Sequence, residues 1–169
     1  MDSKAIIQQL SDNAAVFEKL FTGLSKEEYL WRPAPDKWCL LEILCHLYDE
    51  EREDFRARVK HILETPDQPM PGIDPVAAVT QRNYIGWDFE KTLHDLLAER
   101  RSSIDWLRSL QAPKWDNAYQ HPKVGPITAS MILTNWPAHD MLHMRQILHT
   151  KFQYLQHTTG ENLDYAGIW

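Results

Sequence analysis

The chain is poor in cysteine, in glycine and in long apolar runs, and each scarcity narrows what it can be. Two cysteines in 169 residues cannot build a disulfide framework. Cys39 and Cys45 lie six apart on one expected helix and point in different directions, which makes them poor partners for each other. A reducing, cytoplasmic home is the expectation. No apolar stretch approaches the ~18 residues needed to cross a bilayer, so no membrane span is expected. The opening Met1-Asp2-Ser3-Lys4-Ala5-Ile6 lacks the charged-then-apolar order of a signal peptide. The net charge is −6, and the 18 basic residues are scattered rather than gathered in a stripe. That argues against a nucleic-acid surface.

What is plentiful is amphipathic helix pattern. With 43% hydrophobic residues, the chain is long enough for one domain with one core. Ile6, Leu10, Ala14, Phe17, Phe21 and Leu24 recur at three- and four-residue steps, predicting a first helix over roughly 3–23. Ser25 reads as a cap for a short turn, and the Trp31-to-Pro35 stretch cannot be regular helix. Asp36 is the expected cap of a second long helix over about 38–64, with Leu41, Leu44, Tyr48, Phe55, Val59 and Ile62 inside. Glu50, Glu51, Arg52, Glu53, Asp54, Arg56 and Arg58 then fall on a solvated, mixed-charge face. A proline-rich loop follows over 65–87, with a short helix from Asp74-Pro75 to Tyr84. A third long helix is expected from Asp88 to about Leu110, with Phe89, Leu93, Leu96, Ile104 and Leu107 inward. An irregular segment over 111–127 holds room for an extended flap near Asn117 to Val124.

The fourth long helix is expected from Thr128 to about Tyr154, its inner face traced by Met131, Ile132, Asn135, Trp136, His139, Leu142, His143, Gln146 and Ile147. Pro137 should kink it and free a carbonyl. The tail that ends in Ile168 and Trp169 reads as a docked terminus. The fold class is therefore all-α: a four-helix bundle with long crossover loops, residues 1–169 forming a single domain. The seven tryptophans read first as core and junction residues.

Of eight histidines, three matter. His139 and His143 are four apart, on one helical face and about 6 Å apart along the axis, a spacing at which two imidazoles grip one metal ion. Three imidazoles with an open position are the ligand set of a catalytic zinc site. His46, among Leu44, Cys45, Leu47 and Tyr48, reads either as a hydrogen-bonded core histidine or as the third ligand. The pair is not the zinc-protease motif, because Asp140 stands where that motif has glutamate. Glu42 and Glu50, four residues either side of His46, read as acids that orient an imidazole or serve as general base, or as solvated helix acids. Asn135 and Gln146 sit one turn from the pair, placed to bond a ligand or a water. Trp136 and Tyr48 are candidate walls, and Cys45 reads as a packed thiol.

Two blocks carry a resemblance. Residues 35–47 (Pro-Asp-Lys-Trp-Cys-Leu-Leu-Glu-Ile-Leu-Cys-His-Leu) and 136–147 (Trp-Pro-Ala-His-Asp-Met-Leu-His-Met-Arg-Gln-Ile) resemble the DinB-like superfamily of four-helix metal-binding proteins, in order and at the right distance. The resemblance spans nearly the whole chain. It implies that His46, His139 and His143 bind one divalent ion, zinc or nickel, and that the chain pairs as a homodimer. It also implies a small-molecule substrate, with thiol-dependent transferases and isomerases among similar proteins. An enzyme using a low-molecular-weight thiol, or a hydrolase, is one expectation. A non-catalytic, stress-linked metal-binding bundle is the other.

Overall fold

The structure is a computed structural model that describes residues 1–70 and 72–168. Pro71, inside the expected loop, lies outside the described residues, as does the Trp169 of the tail. Four long helical segments make the bundle: α1 (Ser3–Phe21), the continuous run α3 (Leu40–Asp49), π turn (Glu50–Phe55) and α4 (Arg56–Glu64), then α6 (Phe89–Ser109) and α7 (Ala129–Thr159). Two short helices, α2 (Lys26–Leu30) and α5 (Pro75–Gln81), lie in the connections. The principal packing sets α1 against α6 and α7, and sets the α3–α4 run against the same two helices. The first and second long segments therefore lie diagonally across the bundle, as do the third and fourth, and the connections within those two pairs must cross an end, while the second and third are neighbours. No helix among the described residues is long and apolar enough to cross a membrane.

Local chemistry sets the helix starts. Asp2, Ser25, Asp74, Asp88 and Thr128 each accept a hydrogen bond from the backbone N–H three residues on, satisfying a donor that the first turn leaves free. Gly160 ends α7 in the left-handed conformation, φ 70°, which glycine adopts without a Cβ clash. The expected Asp36 cap is not used: Asp36 is exposed beside Lys37, and α3 begins at Leu40. Its first turn is closed instead by the Glu42 carboxylate, which accepts the Cys39 N–H at 3.0 Å.

Several faces differ from expectation. Glu50 and Glu51, expected in solvent, are buried. They lie in the π turn, which holds more residues per turn than an α-helix and brings both carboxylates inward where a 3.6-residue period turns one out. Met131, Leu142 and Asn135 of α7 are exposed, and the buried row runs through Ile132, Leu133, Trp136, Pro137, Asp140, Ile147 and Thr150. The flap is a hairpin, β1 (Ala118–His121) against β2 (Gly125–Thr128), antiparallel with Tyr119 opposite Ile127. The tail is not docked through Tyr165 or Ile168, both fully exposed. Pro137 sits within the uninterrupted span of α7, and its missing N–H leaves the Leu133 carbonyl without its usual donor.

Two apolar clusters fill the bundle. One gathers Phe17, Phe21, Leu40, Leu44, Tyr84, Phe89 and Leu96. The other gathers Leu10, Phe55, Val59, Ile62, Leu107, Leu133 and Trp136. A buried polar network accompanies them. Arg100, 3% exposed, donates from Nε to Glu51 Oε2 at 2.8 Å and from both Nη atoms to Asp140 at 2.7 and 2.8 Å. Asn13 donates to Asp140 at 2.9 Å, and the Trp136 indole donates to Glu51 at 3.0 Å. One cation thus links α6 to the π turn and to α7, and through Asn13 to α1.

Removing one partner of such a set leaves buried charge uncompensated, which costs about 3–5 kcal/mol. Arg100→Met is therefore expected to lower the free energy of unfolding by that amount. Urea denaturation measures it, and a loss well under about 1 kcal/mol would show that the network does not hold the bundle together.

Candidate metal centre

His46 is on α3, one turn before the π segment, and His139 and His143 are successive turns of α7. The bundle brings the three together. His46 Nε2 is 3.1 Å from His143 Nε2, and His143 Nε2 is 3.1 Å from His139 Nε2. One nitrogen from each ring lies within 4.8 Å of the other two. Two nitrogens bound to one tetrahedral zinc at the usual length are about 3.4 Å apart, so the spacing fits a shared ion closely.

The far sides of the rings are arranged to match. His143 Nδ1 is 2.9 Å from Gln146 Oε1. A carbonyl oxygen there can only accept, which places the proton on Nδ1 and turns the Nε2 lone pair toward the other two rings. Glu50 Oε1 is 3.9 Å from His46 Nδ1 and lies on the same outer side. Trp38 packs 5.1 Å from the His46 ring, and Phe55 packs 5.0 Å from His139 and stacks on Trp136. The indole of Trp136 is thus one layer behind the histidines, bonded to Glu51. Tyr48, the other expected wall, packs instead against Trp87 and Arg52.

Electrostatics keep the imidazoles neutral. Burial, reinforced by the neighbouring His143, lowers His46 from 6.5 to about 3. Burial, with His143, His46 and Arg100 adding to it, lowers His139 to about 3. Burial lowers His143 too, against the pull of Gln146 and Asp140. Three neutral rings with converging lone pairs are ligands in the protonation state a metal needs. Burial also raises Glu50 from 4.5 to about 7, aided by Asp49 and Glu53 and opposed by Arg58.

Of the four expected supporting residues, Gln146 and Glu50 are at the rings. Asn135 is not: it is exposed, and its amide donates to the Met131 carbonyl of its own helix, because it lies on the outer side of α7. Glu42 is buried but has another task. It takes Arg32 in a two-pronged pair at 2.5 and 2.6 Å, and Arg32 also donates to the Lys37 carbonyl at 2.8 Å. That clamp fixes the loop that carries Trp38 onto His46. Cys45 is a packed thiol, as expected, its ionisation pushed up by burial. Sequence reasoning passed over Trp38, Phe55, Arg100 and Asp140. Asp140 had a visible signal, since it directly follows His139 and a carboxylate in a buried helix row needs a cation. Arg100 had none, because its partners are far away in the chain.

A cleft of about 560 Å³ adjoins the centre on the His143 side. Its walls are the loop at Pro33 to Trp38 and the α7 face that carries Leu142, Gln146 and Gln153. The open side of the three rings has a route for a small molecule.

The neutral histidines carry a pH signature in the metal-free protein. Between about 3 and 6.5 the unfolded chain binds protons at His46 and His139 that the folded chain refuses, so stability is lost as the pH drops through that window. Glu50 acts the other way between 4.5 and about 7, and two groups outweigh one. Chelator-treated protein is expected to melt lower at about pH 5 than at about pH 7. An equal or higher melting temperature at the acid end would mean that the two rings are not buried neutral.

Comparisons with known proteins agree with the fold. A model of the DinB superfamily matches residues 9–147. YfiT from Bacillus subtilis, described as "a probable metal-dependent hydrolase with an unusual four-helix bundle topology", has the same fold. Its TM-score is 0.78 at 17% identity, over 95% of this chain and 89% of that one. No match is found among curated protein sequences. With the family model spanning most of the bundle, from α1 to the turn of α7 beyond His143, the chain belongs to the DinB superfamily.

Proposed function

We propose that His46, His139 and His143 hold one divalent ion, zinc or nickel, and that the protein is a metal-dependent enzyme acting on small molecules, with a thiol as nucleophile. The observation that carries the reading is the convergence of three imidazole nitrogens, neighbours 3.1 Å apart, beside an open cleft. Bound there, the ion supplies a Lewis acid that lowers the pKa of a coordinated thiol or water.

The chain's own residues favour the thiol. Glu50 is on the outer side of His46, 3.9 Å from Nδ1 and away from the converging nitrogens. The cleft beside His143 is lined by amides at Gln146 and Gln153 and a hydroxyl at Thr150. His149, the other imidazole there, is six residues on from His143, about 9 Å along the axis. No carboxylate lines this cleft among the described residues. A nucleophile that ionises without a general base suits such a site. A thiol, with an ordinary pKa near ~8.5, needs far less lowering than water. Trp38 and Phe55 close the site laterally and limit competition from bulk water. Water as nucleophile gives the second reading, a hydrolase, which the description of YfiT favours.

Two measurements test this. His143→Ala is expected to lose stoichiometric zinc or nickel by elemental analysis while keeping its helical circular dichroism; unchanged metal content would sink the assignment. Zinc at a hundredfold excess over its dissociation constant stabilises by about 2.7 kcal/mol, so chelation is expected to lower the melting temperature by about 5–10 °C. The loaded protein is then offered common biological thiols with 1-chloro-2,4-dinitrobenzene, and separately a panel of esters and amides. Thiol consumption supports the transferase, and ester or amide cleavage alone would make water the nucleophile.

A further inference from the structure

We infer that the cleft beside His143 selects a small molecule bearing a carboxylate, held between Lys37 and Arg145 while its reactive end reaches the histidine centre; the second half of this inference rests on the metal reading above.

The charge of the cleft runs against that of the chain as a whole. The chain carries 24 acidic residues and a net charge of −6, yet the described lining holds two permanent cations, Lys37 and Arg145, and no carboxylate. The two come from opposite walls, Lys37 from the loop before α3 and Arg145 from α7. Several other arginines are paired: Arg32 with Glu42, Arg56 with Glu99, Arg82 with Asp49 and Glu53, Arg100 with Glu51 and Asp140. Arg145 has no ion pair among the described residues. Lys37 has one with Asp36, 3.2 Å away, but both side chains are more than half exposed, and such surface pairs contribute little.

Lys37 is also held in place. Its carbonyl accepts from Arg32, which Glu42 clamps from the first turn of α3. The loop that presents the cation is therefore ordered before any ligand arrives, and little ordering entropy is lost on binding. Around the α7 axis, His143 and Arg145 are two residues and about 200° apart, with Gln146 between them. The helix thus lays out a metal end at the inner edge, an amide in the middle and a guanidinium at the rim. Trp38 supplies an apolar wall beside the metal end. A volume of about 560 Å³ is that of a small-molecule site. The complementary ligand has a polar reactive group, a short apolar stretch and an anionic tail, for which a planar guanidinium is a natural partner.

The test separates the tail from the metal. In zinc-loaded protein, succinic acid monohydroxamate is compared by calorimetry with its uncharged amide, which offers the same chelating group. The carboxylate probe is expected to bind about tenfold more tightly, as befits one charge-assisted contact. The double variant Lys37→Gln, Arg145→Gln is expected to erase that preference while retaining the zinc content and the amide affinity. Equal affinity of the two probes for the unaltered protein, or a preference that survives in the variant, overturns the inference. A metal-free arm stands apart from the zinc reading. Phenylpropionate is expected to shift the NMR signals of the Trp38 indole and the Gln146 amide, and phenylpropanamide is not. Identical responses to the two overturn the carboxylate site whether or not the protein binds zinc.

Discussion

Arg100 is the interaction on which the rest depends. A guanidinium that is 3% exposed must find its counter-charges inside the protein, and it finds them on two other helices, Glu51 in the π turn and Asp140 on α7. Asp140 is the neighbour of His139, and Glu51 is five residues from His46. The bond that locks α6 to both helices therefore also sets how the two halves of the histidine centre meet. Buried ion pairs often add little to net stability compared with an apolar core. Their directional demand is the more useful property here, since sliding α7 by one turn would separate Asp140 from Arg100 before it cost much apolar contact.

The centre itself is a compromise between burial and access. Burial keeps the rings neutral and lends strength to whatever they bind, while the cleft at His143 keeps one side open. Each ring is backed by a different device. His143 has an amide from its own helix, His46 has a carboxylate four residues on and an indole against its face, and His139 has Phe55. Three different supports restrict three rings without any one of them blocking the open side.

How much of this was legible in the sequence follows from the range of each interaction. The helices, the Ser25 cap and the histidine pair depend on residues three or four apart, and they read correctly. His46 joins the pair only through tertiary packing, and it became legible because its block, taken together with that of His139 and His143, resembles a known family. Glu50 and Glu51 were misplaced because a 3.6-residue period was carried through a stretch that does not keep it. Asn135 was misplaced because the inner row of α7 runs through Ile132, Trp136 and Asp140 instead. Asp36 looked like a cap, yet Glu42 closes that end from within the helix by accepting the Cys39 N–H, and is itself held by Arg32 ten residues upstream. Arg100 was invisible, since its carboxylates are 40 and 49 residues away.

The π turn at Glu50–Phe55 has a consequence for how this chain tolerates change. It works as a phase adjuster between two stretches of one rod: the stretch ahead of it aims His46, and the stretch behind it aims Val59 and Ile62 into a different apolar cluster. The wider turn absorbs one residue more than an α-helix would, so loss of a single residue there would restore an unbroken α-helix, leave Val59 and Ile62 aimed at the core, and re-aim only the turn itself, Glu50 and Glu51 included; the same loss in an α-helical stretch would turn everything downstream by about 100°. The same loss in the loop over 65–74 would meet only connecting chain. Length changes along this protein are therefore unequal in kind: in the loop they alter reach, in the α-helical stretches they alter aim, and in the π turn they alter which carboxylates face inward.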